Sequence, residues 1–289
     1  MDRALATVDA RRDPAQPLYL QLDFFEPHQP FAIPGGMEER EREIRAVLGL
    51  PESYERLAAD GFRAQGPEPR VYRMYRRNWG LTDPATALDY RVAHQLQFEH
   101  LDGMIGRFLD GLAERGLYDS SWVFFLADHG EMNGELALLD KGAFLRPQVI
   151  RVPLVVKPPA GLASGALPAP GATVDVPASL LDLAPTVLEV AGLRTSEARD
   201  GMSLLELARL GRRPDDRPVL CDVWSHVVPN PCIGTVFASG DRDLHLFTYN
   251  AADDLDELYE LGGGREGENL LYDPAKAAVR SEAVRLMDR

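Results

Sequence analysis

The chain has 289 residues, 45% hydrophobic and 26% charged, which suits one large globular domain or a domain with a smaller companion. A formal net charge of -14 without any run of basic residues excludes the Lys/Arg face that nucleic acid requires. No stretch approaches the roughly 20 apolar residues of a membrane span.

The opening MDRALATVDARRDPAQ is polar and lacks the apolar centre of a signal peptide, so the sequence as written predicts a cytoplasmic protein. PLYLQLDFF, residues 17–25, is apolar and aromatic and reads as a buried strand. EPHQPFAIPGG follows as a loop rich in Pro and Gly. Charged sequence to about residue 80 predicts helices around 37–48 and 51–60. From Thr82 the signals sharpen: Asp83 can cap, Pro84 suits a first helical turn, and Leu88, Val92, Leu96, Leu101, Ile105, Leu109 and Leu112 recur at helical spacing until Gly116. This predicts a long amphipathic helix packed on a sheet, with His94 and His100 as surface or packing residues. SWVFFLA, 121–127, reads as a central strand covered on both faces, and RVPLVVKPP, from 151, as another. Residues 176–193 predict one more helix, stopped by Gly192. After about residue 212, PVLCDVW, IGTVFAS, LHLFTYN and DELYEL are short runs divided by turn residues, a small antiparallel sheet. DPAKAAVRSEAVRLMDR closes the chain as a helix. The expected division is 1–211 for a large α/β part and 212–289 for a small C-terminal subdomain. Cys221 and Cys232 lack metal-ligand spacing and read as small buried hydrophobes, a disulfide being the alternative.

Asp128-His129-Gly130-Glu131 directly follows the strand SWVFFLA, and ligands of open α/β sheets bind beyond the carboxyl ends of strands. Asp128 supplies a hard oxygen and His129 a borderline nitrogen, a pair able to hold a divalent cation, with Gly130 permitting a sharp turn. The plain alternative is a capping Asp and a loop His. Lys141 is one of only three lysines in a chain with 31 Lys plus Arg. Its compact ammonium suits an oxygen of sulfate or phosphate, unless it is simply a solvated loop lysine. His28, within Pro27-His28-Gln29-Pro30, is placed to bind an anionic oxygen or protonate a leaving alcohol, or is structural. His226 and His245 lie in the tail without site context.

In order along the chain, PLYLQLDFFEPHQPF, LDGMIGRFLDGLAERGLYDSSWVFFLADHGE, LLDKGAFLRPQVIRVPLVVKPP, VDVPASLLDLAPTVLEVAGL with DGMSLLEL, and DELYEL with GENLLYDP resemble segments of the sulfatase family of the alkaline phosphatase superfamily. The resemblance implies an α/β fold, the alkaline-phosphatase-like three-layer αβα sandwich, incomplete at its N-terminal side, with a small C-terminal antiparallel-sheet-plus-helix subdomain. It implies that Asp128 and His129 ligate a divalent cation, calcium in most of the family, with manganese or zinc as alternatives. Lys141 and His28 would be the catalytic and substrate-binding residues that hold sulfate and the leaving oxygen. The implied activity is metal-dependent hydrolysis of sulfuric esters, and the implied partner is a small anionic ester.

Departures from the family pattern set further expectations. Family chemistry uses a Cys oxidised to formylglycine within Cys-x-Pro/Ala-x-Arg, upstream of the Pro-His-x-Pro loop; here no Cys precedes residue 221. The paired N-terminal Asp ligands and the Lys-x-His segment are also missing, so the sequence reads as N-terminally truncated and inactive as written. Where relatives often carry Gly-x-His-Gly, this chain reads Gly134-Glu135-Leu136-Ala137. A phosphonate or phosphate ester hydrolase of the same superfamily and a non-catalytic remnant are the alternatives. Substrate selectivity is expected on loops 31–80 and 224–231.

Overall fold

The computed structural model describes every residue except 12, 14, 65, 163–164, 194–198, 214–217, 241–242, 253–254, 263–267 and 288–289. Four helices precede the long one: α1 (Asp2–Asp9), α2 (Glu38–Val47), α3 (Glu52–Ala59) and α4 (Arg70–Trp79). α5 spans Pro84–Glu114, and its start follows from the residues expected to make it. The Asp83 carboxylate accepts from Thr86 N at 2.8 Å, and Pro84 occupies the first turn, where no amide hydrogen is needed. Its buried side, expected from sequence to lie on a sheet, meets other helices along most of its length and only a two-stranded ladder at its start, where Ala87 packs with Leu139 and Arg91 donates to Asn133 O. Val92 and Leu96 pack with Ile44 of α2, and Phe108 and Leu112 with Val8 of α1.

β1 (Val123–Leu126) pairs antiparallel with β4 (Leu154–Lys157), Leu126 opposite Leu154. Neither strand is covered on both faces: Phe125 is 43% exposed and Val155 57%. A two-stranded ladder has no inner strand, so each strand keeps a free edge and a partly open face. Residues 17–25 correct the expected buried strand in the same way. They form no ladder; Leu20 and Leu22 lean on the α1–α5 cluster while Tyr19 and Phe25 stay 69% and 65% exposed. The segment has the alternation of a half-buried strand but no neighbouring strand to satisfy its backbone.

β2 (Met132–Asn133) and β3 (Leu139–Asp140) form a short hairpin, followed by the single turn α6 (Pro147–Ile150). The helix expected over 176–193 is shorter. Ser179 and Asp182 cap one another in a capping box, a 3₁₀ turn covers Leu180–Asp182, and α7 runs Leu183–Val190 with Gly192 left-handed at φ 68 beyond it. α8 (Leu204–Leu210) begins on a Ser203 cap.

The tail is a meander in spatial order, β5 (Val219–His226), β6 (Val228–Ala238), β7 (Leu244–Asn250) and β8 (Glu257–Leu261), all antiparallel. α9 (Ala277–Met287) places Ala283 and Leu286 on Phe237, Phe247 and Leu258. This is the expected small sheet plus helix, though not an isolated one. Tyr75 Oη of α4 donates to His226 O at 2.6 Å, and Asn230 Nδ2 to Ala143 O at 2.7 Å. Two aromatics of α4, Tyr72 and Tyr75, meet Phe144 edge-on at 5.3 and 5.2 Å. Among the described residues no helix is long and apolar enough to cross a membrane.

Candidate functional site

Asp128 and His129 follow the carboxyl end of β1, and the turn they occupy is built by Gly130. Its N–H donates to Val149 O at 2.6 Å, and a Cβ there would fall 2.1 Å from Gln148 O. The glycine is therefore required by the close approach of another backbone rather than by a left-handed φ. His129 N donates to Asp128 Oδ1 at 2.9 Å, and His129 Nδ1 lies 2.9 Å from Gly130 O. With the proton on Nδ1, His129 Nε2 keeps its lone pair, 3.5 Å from Asp128 Oδ2. The Asp128 side chain is 86% exposed, so this pair of donors opens to solvent.

Lys141 directly follows β3 of the β2–β3 hairpin. Because Met132 pairs with Asp140, Glu131 and Lys141 are the next positions outward, at the hairpin end that runs into His129 and Gly130. Its other end is irregular, with Gly134, Leu136 and Ala137 left-handed at φ 96, 55 and 55. For Leu136 and Ala137 that backbone costs roughly 1–2 kcal/mol each. Four contacts offset the cost: Arg91 and Arg76 donate to the Asn133 and Leu136 carbonyls, Ser53 Oγ accepts from Leu136 N, and Leu81 N donates to Ala137 O. These stand where relatives were expected to carry Gly-x-His-Gly.

Two further acids sit under Lys141. Glu131 Oε1 accepts from Asp140 N at 2.7 Å and from the Tyr90 hydroxyl, and burial pushes its carboxyl pKa up. Asp140 is 3% exposed and left-handed at φ 69; it accepts from Lys141 N at 2.7 Å. Its other oxygen is 2.7 Å from His226 Nε2, at the end of β5. His226, given no context by the sequence pattern, thus reaches the Lys141 turn from 86 positions away. A lone tail histidine carries no sequence signal for such a contact.

His28 is exposed, its Nδ1 2.5 Å from Gln29 O, in a loop with two cis prolines, Pro27 and Pro30. No hydrogen bond or ion pair joins it to Asp128, His129 or Lys141 among the described residues. Its loop is nevertheless fastened beside them. Phe31 lies 4.6 Å from the Tyr90 ring, whose hydroxyl holds Glu131, and stacks on His94 at 4.8 Å. His94 is 5% exposed, and burial, with Arg91 nearby, lowers its pKa from 6.5 to about 4. Its neutral form is the native one. The resulting stability is fully present above about pH 6.5 and is lost as pH falls through about 4, a change of about 3 kcal/mol. Denaturant midpoints measured from pH 7 to 4 should fall steeply in the parent chain and flatten in His94→Phe; equal acid slopes would remove this role from His94.

Cys221 and Cys232 are free thiols, and burial pushes their pKa values to about 11 and about 12. Neither is poised as a nucleophile. Asp128 and His129 fit two positions of a cation's shell, an oxygen and an imidazole nitrogen. Among the described residues no group of three or more His, Cys, Asp or Glu that could hold a metal ion is found.

The fold and the position of this site at the end of β1 define an alkaline-phosphatase-like α/β protein. A phosphonate monoester hydrolase of Agrobacterium radiobacter superposes with a TM-score of 0.72 at 20% identity, over 98% of this chain and 58% of that one. A putative sulfatase of Bacteroides thetaiotaomicron gives 0.64 at 19%, over 83% and 51%. The sequence model of the sulfatase family matches residues 1–193, and the chain belongs to that family. It is 27% identical over 288 residues to YidJ of Escherichia coli K12, named an uncharacterized sulfatase, covering 95% of this chain and 52% of YidJ. An arylsulfatase of Clostridium perfringens is 28% identical over 68% of this chain and 38% of its own length. The chain thus spans about half the length, or less, of the curated relatives it matches.

Proposed function

We propose that the chain carries the metal-binding and anion-binding part of a sulfuric ester hydrolase, residues 1–211 contributing the site and 212–289 a subdomain that buttresses it. What supports this reading is the hairpin register, which sets Lys141 next to Asp140 opposite Glu131, two residues beyond His129 in sequence. In this reading Asp128 and His129 ligate a divalent cation, calcium in most sulfatases, which when bound would neutralise charge developing on the ester. Lys141 holds an anionic oxygen of the ester, with its backbone N–H fixed by Asp140. His28, exposed on its proline-bounded loop, binds the sulfate or the leaving oxygen. No nucleophile is assigned, since the two thiols, Cys221 half-buried and Cys232 buried, have raised pKa values.

The test is hydrolysis of an aryl sulfate and an aryl phosphonate by the purified chain, with calcium and manganese supplied, beside thermal melts in the same ions. Expected are no turnover and a small calcium-dependent rise in melting temperature that Asp128→Ala removes. Turnover surviving both Asp128→Ala and Lys141→Ala would overturn the assignment of the site.

A further inference from the structure

A groove of about 390 Å³ opens between α4 and the connection that leads into it. Arg63, Arg73, Arg76 and Arg77 line it with Phe62 and Thr82, and no carboxylate does, although the chain as a whole carries a net charge of -14. Arg73 and Arg77 stand at i and i+4 of α4 on its exposed side, and Arg76 lies at the border with the buried side that carries Tyr72 and Tyr75. Consecutive left-handed residues, Gly61 and Phe62 at φ 62 and 60, turn the chain so that Arg63 forms part of the other wall. Like charges at this spacing repel one another unless an anion lies between them.

The four guanidiniums are not equally engaged. Arg76 is buried, paired with Glu68, and donates to Leu136 O at 3.3 Å. The Arg63 and Arg77 guanidiniums have no partner among the described residues, and Arg73 has only the Glu68 carbonyl at 3.5 Å. One cation is thus structural and paired with Glu68, and three exposed ones line the same groove without a carboxylate partner of their own among the described residues.

We infer that this groove binds a tetrahedral oxyanion, sulfate or phosphate, at a site separate from Asp128 and Lys141. The guanidinium fork presents paired N–H donors that match two oxygens of such an ion, which chloride cannot satisfy. An ion held by Arg73 and Arg77 neutralises the face of α4 from which Arg76 reaches the β2–β3 hairpin.

The experiment is calorimetric titration of the full chain with sodium sulfate and, separately, sodium phosphate, against chloride at constant ionic strength. Saturable binding that survives Lys141→Met is expected, one ion per chain in that variant, and the tighter of the two ions identifies the natural source. Affinity should fall about tenfold or more in Arg73→Gln/Arg77→Gln and stay unchanged in Lys141→Met. Arg73 and Arg77 are both exposed, so the double variant should keep its fold by circular dichroism; Arg77→Gln alone provides a milder second variant. Absence of saturable binding beyond chloride would overturn the inference. So would binding that Lys141→Met removes and the arginine variants leave intact. Neither result bears on ester hydrolysis, which is read separately.

Discussion

Gly130→Ala should destabilise the chain on the order of 3 kcal/mol and displace the Asp128–His129 turn. The added methyl would lie 2.1 Å from Gln148 O and 3.2 Å from Val149 O, both backbone atoms of the α6 turn that cannot rotate away. Either the turn lifts off α6, breaking the 2.6 Å bond from Gly130 N to Val149 O, or α6 itself shifts. In both cases His129, whose Nδ1 is held by the Gly130 carbonyl, loses its fixed ring orientation. Gly103→Ala is the matched control: it lies mid-α5, exposed, with nothing within 4 Å of the new Cβ, and should gain roughly 0.5–1 kcal/mol from helix propensity. Thermal melts of the two variants should therefore move in opposite directions, with Gly130→Ala lower by roughly 6–10 °C. A Gly130→Ala chain melting with the parent would mean that the turn is loose and not packed as described.

The residues that announced α5 did so through local chemistry, since a capping Asp83, Pro84 and a helical apolar period act within one segment. The tail meander was legible for the same reason, its four runs being divided by turn residues. α4 escaped because its buried side is Val71, Tyr72, Tyr75 and Arg76, scattered through a sequence that otherwise reads as exposed and basic. Residues 17–25 misled in the opposite sense. Alternating apolar residues are necessary for a half-buried strand, but a ladder needs a second strand, which no single segment can declare. In the site, the Asp128-His129 turn was legible as residue types at a strand end and Lys141 as a loop lysine, but the β2–β3 hairpin that carries Lys141 was not. The Asp140–His226 contact was not, because it depends on where the meander docks on the body. Gly130 was singled out correctly but for a different cause, backbone contact with α6 instead of a turn conformation.

That docking rests on a buried ionic cluster, and its removal should be the costliest change in the tail. Glu257, 1% exposed on β8, accepts from the Tyr72 and Tyr259 hydroxyls and from Asn250 Nδ2 at 3.1 Å. Arg146, from the stretch preceding α6, donates to Tyr259 Oη at 2.8 Å and comes within 3.9 Å of Glu257 Oε1. Its guanidinium lies over the Tyr259 and Tyr72 rings at 4.8 and 5.5 Å. Burial works against the Arg146 charge, yet Tyr259, Tyr72 and Glu257 together hold its pKa above the ordinary arginine value. Glu257→Leu leaves that cation in an apolar interior and two hydroxyls without their acceptor, a loss of about 3–5 kcal/mol. Arg146→Met strands the carboxylate and should cost a similar amount. The double variant removes both charges together, so its loss should be smaller than the sum of the single losses. Chemical denaturation of the four chains completes the cycle. Additive losses, or a Glu257→Leu cost below about 1 kcal/mol, would mean that the apolar contacts of Phe144, Tyr72 and Tyr75 seat the meander without help from the ion pair.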